Sequence, residues 1–139
     1  MTQHVRDIMT STPVTVEPLT SVTAVARLMR DQDIGDVLVT EEGRLRGIVS
    51  DRDLVVRALA EGEDPEHTTV AQVCSGDVFS VGPDDDIDRV AELMREHAVR
   101  RIPVVADEQP VGIVTLGDLA VERAPETPLG NISASKPNR

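Results

Sequence analysis

The sequence is poorest in aromatic residues, because Phe79 is the only one among 139 residues. A chain without Trp or Tyr lacks the stacking platforms on which many proteins hold single-stranded bases. Basic residues are also few, since 14 Lys and Arg stand against 25 Asp and Glu for a formal net charge of −11. This charge argues against a general binder of nucleic acid or of anionic membranes, which needs a basic face.

Cysteine and long apolar runs are scarce as well. Cys74 is the single cysteine, which excludes an intramolecular disulfide and fits a reducing compartment. The N-terminus has no apolar signal core, and no apolar run approaches the roughly 18 residues that would cross a membrane. Hydrophobic residues nevertheless make up 40% of the chain, enough for a packed core. We expect a soluble, acidic, cytoplasmic protein with no nucleic-acid or membrane partner.

The chain contains an internal repeat. Shifted by 65 positions, residues 5–55 align with 70–120 without a gap, and 14 of the 51 pairs are identical. Chance would give about three at typical residue frequencies. The repeat indicates a duplicated structural unit. We call 5–55 copy one and 70–120 copy two.

The sequence pattern of each copy predicts the order strand, helix, strand, strand, helix. We predict strands over 14–16, 36–40 and 46–50 in copy one, and over 78–81, 102–106 and 110–115 in copy two. The first helices show the apolar spacing of an amphipathic helix: Val22, Val25, Ala26 and Met29 in copy one, and Ile87, Val90, Ala91 and Met94 in copy two. The second helices are predicted near 51–60 and 116–123.

The expected fold class is α+β, with two pseudo-symmetric β-α-β-β-α motifs packed sheet to sheet and the helices outside. One copy of about 55 residues would bury too little surface to be stable alone, so two copies should share a core. We expect motif one over 1–60, a linker over 61–69 and motif two over 70–123. The tail, 124–139, holds several prolines without apolar periodicity, and we expect it to be disordered.

The duplicated order resembles a tandem pair of cystathionine-β-synthase (CBS) domains, a Bateman module. The motifs that carry the resemblance are VRDIMT at 5–10, GIVSDRD at 47–53, RRIPVV at 100–105 and GIVTLGD at 112–118. The resemblance covers almost the whole chain and leaves no room for a catalytic domain. It implies a homodimer and regulatory binding of adenine nucleotides in clefts between the copies, the nucleotide being a regulatory ligand and no cofactor.

Two strand-to-helix junctions are candidate ligand sites, Ser50-x-x-Asp53 and Thr115-x-x-Asp118. In one interpretation these residues only close a helix N-terminus. In the other, the carboxylate also accepts hydrogen bonds from the two hydroxyls of a ribose, while the hydroxyl and free amides face a phosphate. The resemblance favours the second interpretation, and we add Pro103 and Thr15 to the ligand-binding set with it.

Arg100 and Arg101 are candidates for phosphate binding, because arginine pairs with phosphate as a planar fork. The alternative is an exposed pair that neighbouring acids neutralise. Neighbours in an extended chain point to opposite faces, so at most one should face a given cleft. Copy one has Gly35 and Asp36 at these positions, and we therefore expect two inequivalent clefts.

The remaining chemistry is sparse. The three histidines are scattered, the acidic run 84–88 lacks the pattern of a calcium loop, and no nucleophile–base pair is evident. We therefore expect no metal and no enzyme, and interpret the chain as a regulatory module that binds AMP, ADP, ATP or a related adenosyl ligand. Occupancy would change dimer geometry or the binding of a protein partner that the sequence does not identify. The rival hypothesis is a ligand-free dimeric scaffold.

A homodimer needs apolar helix faces beyond those of the core. The residues that we expect to supply them are Val22, Val25, Val55, Val56 and Leu59 in copy one, with Val90 and Leu119 in copy two.

Overall fold

A computed structural model describes residues 3–76 and 78–123, together with the isolated positions 128 and 132. The predicted disorder of 124–139 therefore concerns residues outside the described part, apart from those two positions. The chain divides into two compact units. Pro13–Val78 forms the contiguous unit, and Met1–Thr12 joins Phe79–Arg139 in the two-segment unit.

The helices and strands follow the duplicated order that the sequence predicts, except that no strand forms over 78–81 and that short elements at the start of each copy are additional. The strands are β1 (Thr10–Ser11), β2 (Thr15–Val16), β3 (Asp36–Glu41), β4 (Arg44–Ser50), β5 (Arg101–Ala106) and β6 (Gln109–Thr115). The helices are α1 (Val22–Gln32), α2 (Asp51–Asp53), α3 (Val70–Val73), α4 (Ile87–His97) and α5 (Leu116–Arg123). A 3₁₀ turn spans Val5–Asp7, and a π-helical segment, Leu54–Leu59, continues α2.

Each unit contains a three-stranded sheet. In the contiguous unit the order is β2-β3-β4, with β2 parallel to β3 and β4 antiparallel to it. In the two-segment unit the order is β1-β6-β5, and both pairings are antiparallel. The mixture of helices and two small sheets confirms the predicted α+β class.

The long helices α1 and α4 begin and bury their faces as their sequences predict. Ser21 caps α1 by accepting a hydrogen bond from the Ala24 amide at 3.1 Å, and Asp86 caps α4 through the Asp88 amide at 2.9 Å. The buried residues of these faces are Val22, Val25 and Met29 in α1 and Ile87, Val90, Leu93 and Met94 in α4. Ala26 and Ala91, which share the predicted apolar spacing, are exposed.

The segments that begin the two copies are exchanged between the units. Val5 lies in the core built by copy two, and Val70 and Val73 lie in the core built by copy one. The Val5 amide donates to the Asp85 carbonyl at 2.8 Å, and the Val70 amide donates to the aligned Thr20 carbonyl at 2.7 Å. Each unit therefore combines most of one copy with the first residues of the other.

Two glycines make this exchange possible. A Cβ at Gly47 would lie 2.8 Å from the Ser75 carbonyl oxygen, and a Cβ at Gly112 would lie 2.9 Å from the Thr10 carbonyl oxygen. Ser75 bridges to β4 at Ile48, and Thr10 pairs with β6, so the exchanged backbone runs directly beside each glycine. The glycines of the two GIV motifs thus have a packing role that is independent of any ligand.

The strand predicted at 78–81 is wrong in extent, because only a single bridge forms there, between Val81 and Val104. In copy one the corresponding strand, β2, gains an additional bond from the Leu38 amide to the Val14 carbonyl at 3.0 Å. Copy two has Pro103 in place of Leu38, and proline has no amide hydrogen to donate.

Most of the residues expected to supply a dimer face instead form the cores. Val22, Val25, Val90 and Leu119 are buried within their own units, where they face the sheets. Val55, Val56 and Leu59 remain exposed, as a dimer face requires. The apolar spacing alone does not separate a residue that packs inward from one on the outer side of the same helix.

Candidate functional site

The junction of β4 with α2 is a reciprocal capping box. The Ser50 amide donates to Oδ2 of Asp53 at 2.8 Å, and the Asp53 amide donates to Oγ of Ser50 at 3.1 Å. Both side chains are half-buried. The predicted cap is confirmed, and it holds a hydroxyl and a carboxylate together at the carboxyl end of a strand.

The junction of β6 with α5 has the same geometry. The Thr115 amide donates to Oδ2 of Asp118 at 2.8 Å, and the Asp118 amide donates to Oγ1 of Thr115 at 3.1 Å. In both junctions the cap uses a single carboxylate oxygen. The second oxygen of each aspartate is therefore the group that a ligand would meet.

The two carboxylates differ in what lies beside that second oxygen. Oδ1 of Asp53 lies 3.7 Å from Nε of Arg57, and the Asp53 side chain is 21% exposed. Among the residues that the structure describes, none donates a hydrogen bond to Oδ1 of Asp118. Within the part of the chain that the structure describes, Asp118 is consequently the more open acceptor of the two.

Strand register brings different charges to the two junctions. Arg101 of β5 pairs directly with Thr115, whereas Asp36 of β3 pairs directly with Ser50. Directly paired residues project from the same face of a sheet with their Cβ atoms about 5 Å apart. An arginine is therefore the direct strand partner of the junction residue in copy two, and an aspartate is the direct strand partner in copy one.

The two adjacent arginines lie in different surroundings. Arg101 begins β5 beside Thr115, while Arg100 lines an apolar groove between α4 and α5 together with Met94 and Leu116. That at most one of them faces a given ligand site stays a prediction. The position of Asp36 beside Ser50 was missed in the sequence. The register of the β3–β4 hairpin shows it.

The two remaining candidates lie in separate sheets. Pro103 is buried in β5, where its carbonyl accepts a bond from the Val81 amide at 3.1 Å. Thr15 is exposed in β2 and pairs in register with Leu38. Thr15 thus shares the contiguous unit with Ser50 and Asp53, and Pro103 shares the two-segment unit with Thr115 and Asp118.

The other reactive groups among the described residues do not assemble into a metal site. Burial is the main cause that raises the pKa of the Cys74 thiol, which makes it a poorer nucleophile. Within the described residues, no group of three or more His, Cys, Asp or Glu side chains could hold a metal ion. In the same part of the chain, no helix has the length and apolar character needed to cross a bilayer.

Comparison with known proteins gives a family match over both copies. The CBS domain profile matches residues 5–59 and 70–124. The chain is 39% identical to the CBS domain-containing protein YhcV of Bacillus subtilis over 119 residues, which cover 86% of this chain and 84% of that protein. It is 37% identical to Hypoxic response protein 1 of Mycobacterium tuberculosis, over 83% of this chain and 81% of that one.

Solved structures show the same fold. Hypoxic Response Protein I, crystallised with two coordinated zinc ions, matches with a TM-score of 0.78 and 36% identity, over 86% of this chain and 98% of that one. The CBS domain pair of protein MJ0100, in complex with 5-methylthioadenosine and S-adenosyl-L-methionine, matches with a TM-score of 0.82 and 26% identity. That match covers 91% of this chain and 100% of the other.

Proposed function

The chain belongs to the CBS domain family, and we propose that it is a non-enzymatic regulatory module that binds an adenine nucleotide or a related adenosyl ligand. The observation that carries the proposal is the repeated junction at the end of a strand. There a capping hydroxyl lies beside a half-buried carboxylate, and the cap uses only one of the two carboxylate oxygens. The adenosyl ligands of the MJ0100 domain pair support this class of ligand.

The chemistry of the junction suits a ribose. A carboxylate is an acceptor with two oxygens, and the vicinal hydroxyls of a ribose are two adjacent donors. The cap occupies Oδ2 of Asp118 and orients the carboxylate, so that Oδ1 can accept from the sugar. We propose the corresponding role for Asp53, whose Oδ1 is shared with Arg57.

The flanking charges distinguish ligands with and without phosphate. Arg101 beside Thr115 would pair with a phosphate, together with the hydroxyl of Thr115. Asp36 beside Ser50 would repel a phosphate and tolerate a neutral or cationic adenosyl compound. Arg101 and Asp36 each already have a polar partner in the protein, so a ligand group would compete with that partner. Thr15 and Pro103 complete the proposed ligand-binding set. Arg100 is the weaker candidate for phosphate binding, because it lines the apolar groove between α4 and α5.

We also propose that the module acts as a homodimer, and that occupancy changes dimer geometry or the binding of a protein partner. The supporting observation is the exposed apolar surface of Val55, Val56 and Leu59. A patch of exposed, large apolar side chains often marks a surface that binds another protein.

Calorimetric titration of the full chain with ATP, AMP and adenosine tests the ligand. We expect Asp118→Ala to weaken binding of all three by roughly 10- to 150-fold, because a hydrogen bond to a charged group contributes about 1.5–3 kcal/mol. Arg101→Ala should weaken ATP and AMP by a similar factor and leave adenosine unchanged, since only the phosphate contact is lost.

Arg100→Ala is the matched control for Arg101→Ala, and we expect it to leave all three affinities within about threefold of the wild type. The melting temperature of each unliganded variant is measured as well, because loss of a cap could imitate loss of a ligand contact. Equal affinity for adenosine and its phosphates would contradict the role of Arg101. Absence of binding to any of the compounds would favour the ligand-free scaffold.

A further inference from the structure

An ion pair lies one helical turn after the first junction. Nε of Arg57 lies 3.7 Å from Oδ1 of Asp53, and the Ser50 amide donates to Oδ2 of the same carboxylate at 2.8 Å. Both oxygens of Asp53 therefore already have a partner within the chain, a cation on one side and a backbone amide on the other. Any ligand that uses Oδ1 must share it with Arg57 or displace Arg57 from it.

The second junction has the opposite charge at this position. Glu122 is aligned with Arg57 in the repeat and follows Asp118 by four residues, within α5. Side chains four residues apart on a helix lie next to each other. A carboxylate at this position cannot form an ion pair with Asp118. The repeat therefore keeps both aspartates and changes the residue that can occupy their second oxygen.

The two members of the ion pair differ in their freedom to move. The Arg57 side chain is 53% exposed, whereas the Asp53 side chain is 21% exposed and is held by the capping hydrogen bond. Arg57 can therefore move into water, but Asp53 cannot follow it without losing that bond. Separating a pair of this kind requires a modest free energy, which is subtracted from the affinity for any group that replaces the guanidinium.

The Cys74 thiol senses the charges of this pair. Burial contributes most to the raised pKa of Cys74, and among the lesser causes the Asp53 carboxylate raises that pKa while the Arg57 guanidinium lowers it. Cys74 is the single cysteine of the chain. Its reactivity therefore reports on the charge of Arg57 without an added label.

We propose that Arg57 is a specificity-determining residue that competes with the ribose of the ligand for Oδ1 of Asp53. The junction with Asp118 then fills first, and the junction with Asp53 fills only at a higher ligand concentration. This inference rests on the proposed function and adds to it the order in which the two sites are occupied.

Calorimetric titration of the full chain with adenosine tests the competition, because adenosine has the ribose hydroxyls and no phosphate that Arg57 could bind. Asp118→Ala isolates the junction with Asp53. In that background we expect Arg57→Ala to tighten adenosine binding about two- to fivefold, which is the range for an exposed ion pair. Arg52→Ala removes the same charge from an exposed neighbouring position and should leave the affinity unchanged. Weaker binding by the Arg57→Ala protein would overturn the competition, since a direct contact between Arg57 and the ligand gives that sign.

Glu122→Arg should create the same competition at the other junction. In an Asp53→Ala background, which isolates the junction with Asp118, we expect E122R to weaken adenosine binding about two- to fivefold. Glu122→Gln removes the acid without supplying a cation, and as the matched control it should leave the affinity unchanged. Circular dichroism confirms that each variant is folded. Equal affinities of the E122R and E122Q proteins would contradict the proposal.

Alkylation of Cys74 by iodoacetamide tests the position of the Arg57 charge without any ligand. The rate follows the fraction of thiolate, so Arg57→Ala should shift the pH profile of the rate to higher pH. Asp53→Asn should shift the profile to lower pH, and Arg52→Ala should not move it. A profile that Arg57→Ala leaves unchanged would overturn the proposal, because the guanidinium would then not lie beside Asp53.

The outcomes separate this inference from the proposed function. If the wild type binds adenosine and Arg57→Ala gives no tighter binding in the Asp118→Ala background, the competition is overturned and the proposed function stands. If neither the wild type nor the Arg57→Ala protein binds adenosine, AMP or ATP, both are overturned.

Discussion

The contiguous unit and the two-segment unit are two solutions built from one duplicated sequence. Both keep the capping box at the last strand-to-helix junction and the glycine three residues before it. They differ at the neighbouring positions, where Asp36 and Asp51 in one unit correspond to Arg101 and Leu116 in the other. The retained residues are ones that the backbone requires, and Asp36 and Arg101 are among the changed residues that we propose to lie beside a ligand.

The backbone itself also diverges at two points. Leu38 donates to the Val14 carbonyl and extends β2, whereas Pro103 cannot donate and leaves only a bridge. After the junction, α5 continues as an α-helix, while Leu54–Leu59 is π-helical, with the Ala60 amide donating to the Val55 carbonyl at 2.8 Å. The duplication therefore tolerates changes in regular structure as long as the junction and the exchanged segments persist.

The largest effect on stability is expected when a methyl group is added to the glycine that lies beside the exchanged segment in each unit. Gly47→Ala and Gly112→Ala should each lower the free energy of unfolding by about 3 kcal/mol, the upper end of the usual cost of overpacking a rigid site. Each Cβ would meet one backbone carbonyl oxygen and one side-chain sulfur. Gly47→Ala should cost more, because Sγ of Cys74 lies on a short side chain and can move away less than the sulfur of the flexible Met9 side chain. Urea denaturation measures both.

Gly76→Ala is the control for these variants, since a Cβ there meets no atom within 4 Å. Combining Gly112→Ala with Met9→Ala removes the closest contact, 2.6 Å from the sulfur, and should reduce the penalty. Equal stability of the Gly47→Ala and Gly76→Ala proteins would show that the exchanged segment does not pack where we describe it.

A smaller effect is expected from exchanging the residues that distinguish β2 from its counterpart. Leu38→Pro removes the donor to the Val14 carbonyl and trims a buried side chain, so we expect a loss of about 2 kcal/mol. Pro103→Leu restores an amide in copy two and should change stability by less than about 1 kcal/mol. Urea denaturation of the two variants would contradict this account if their losses were equal.

The two caps should contribute nearly equally. Ser50→Ala and Thr115→Ala each remove a side-chain acceptor from an N-terminal amide, and we expect each to cost about 1 kcal/mol. For a domain of this size the melting temperature should fall by about 4 °C in each case. Calorimetric melting that showed one variant unchanged and the other strongly destabilised would indicate that the caps are not equivalent.

The smallest effect is a pH dependence at one turn of the contiguous unit, which holds His67 and Asp64. Nδ1 of His67 lies 2.6 Å from Oδ2 of Asp64, and this hydrogen bond raises the pKa of His67 and lowers the pKa of Asp64. The adjoining carbonyls of Pro65 and Thr68 accept bonds from the first amides of α1, so the turn supports that helix.

The stabilisation from His67 should be complete below its unfolded pKa of about 6.5 and should be lost as pH rises through the higher folded value. The contribution of Asp64 should be lost only as pH falls through its lowered folded pKa. The difference in melting temperature between wild type and His67→Gln should therefore be greater at acidic than at alkaline pH. An NMR titration in which Asp64→Asn leaves the His67 pKa unchanged would contradict the stated cause.

The candidate site was predictable in part. The spacing Ser50-x-x-Asp53 and its repeat predicted both caps, because a capping box involves residues only three positions apart. The different surroundings of Arg100 and Arg101 could be predicted only in general terms. Successive side chains of an extended chain point to opposite faces, but this rule does not say which groove or strand each side chain contacts. The groove that Arg100 lines depends on two helices, α4 and α5, that are distant in sequence.

The sequence by itself determined the duplication, the α+β order of elements and the helix caps, because these depend on periodicity and on contacts within one turn. The tertiary structure decided which copy receives each leading segment, why Gly47 and Gly112 carry no side chain, and which charge lies beside each junction. It also decided that Val22 and Val90 are core residues while Val55 and Leu59 are exposed. These features arise from contacts between residues far apart in the chain, and local patterns carry no information about which distant partner a residue will meet.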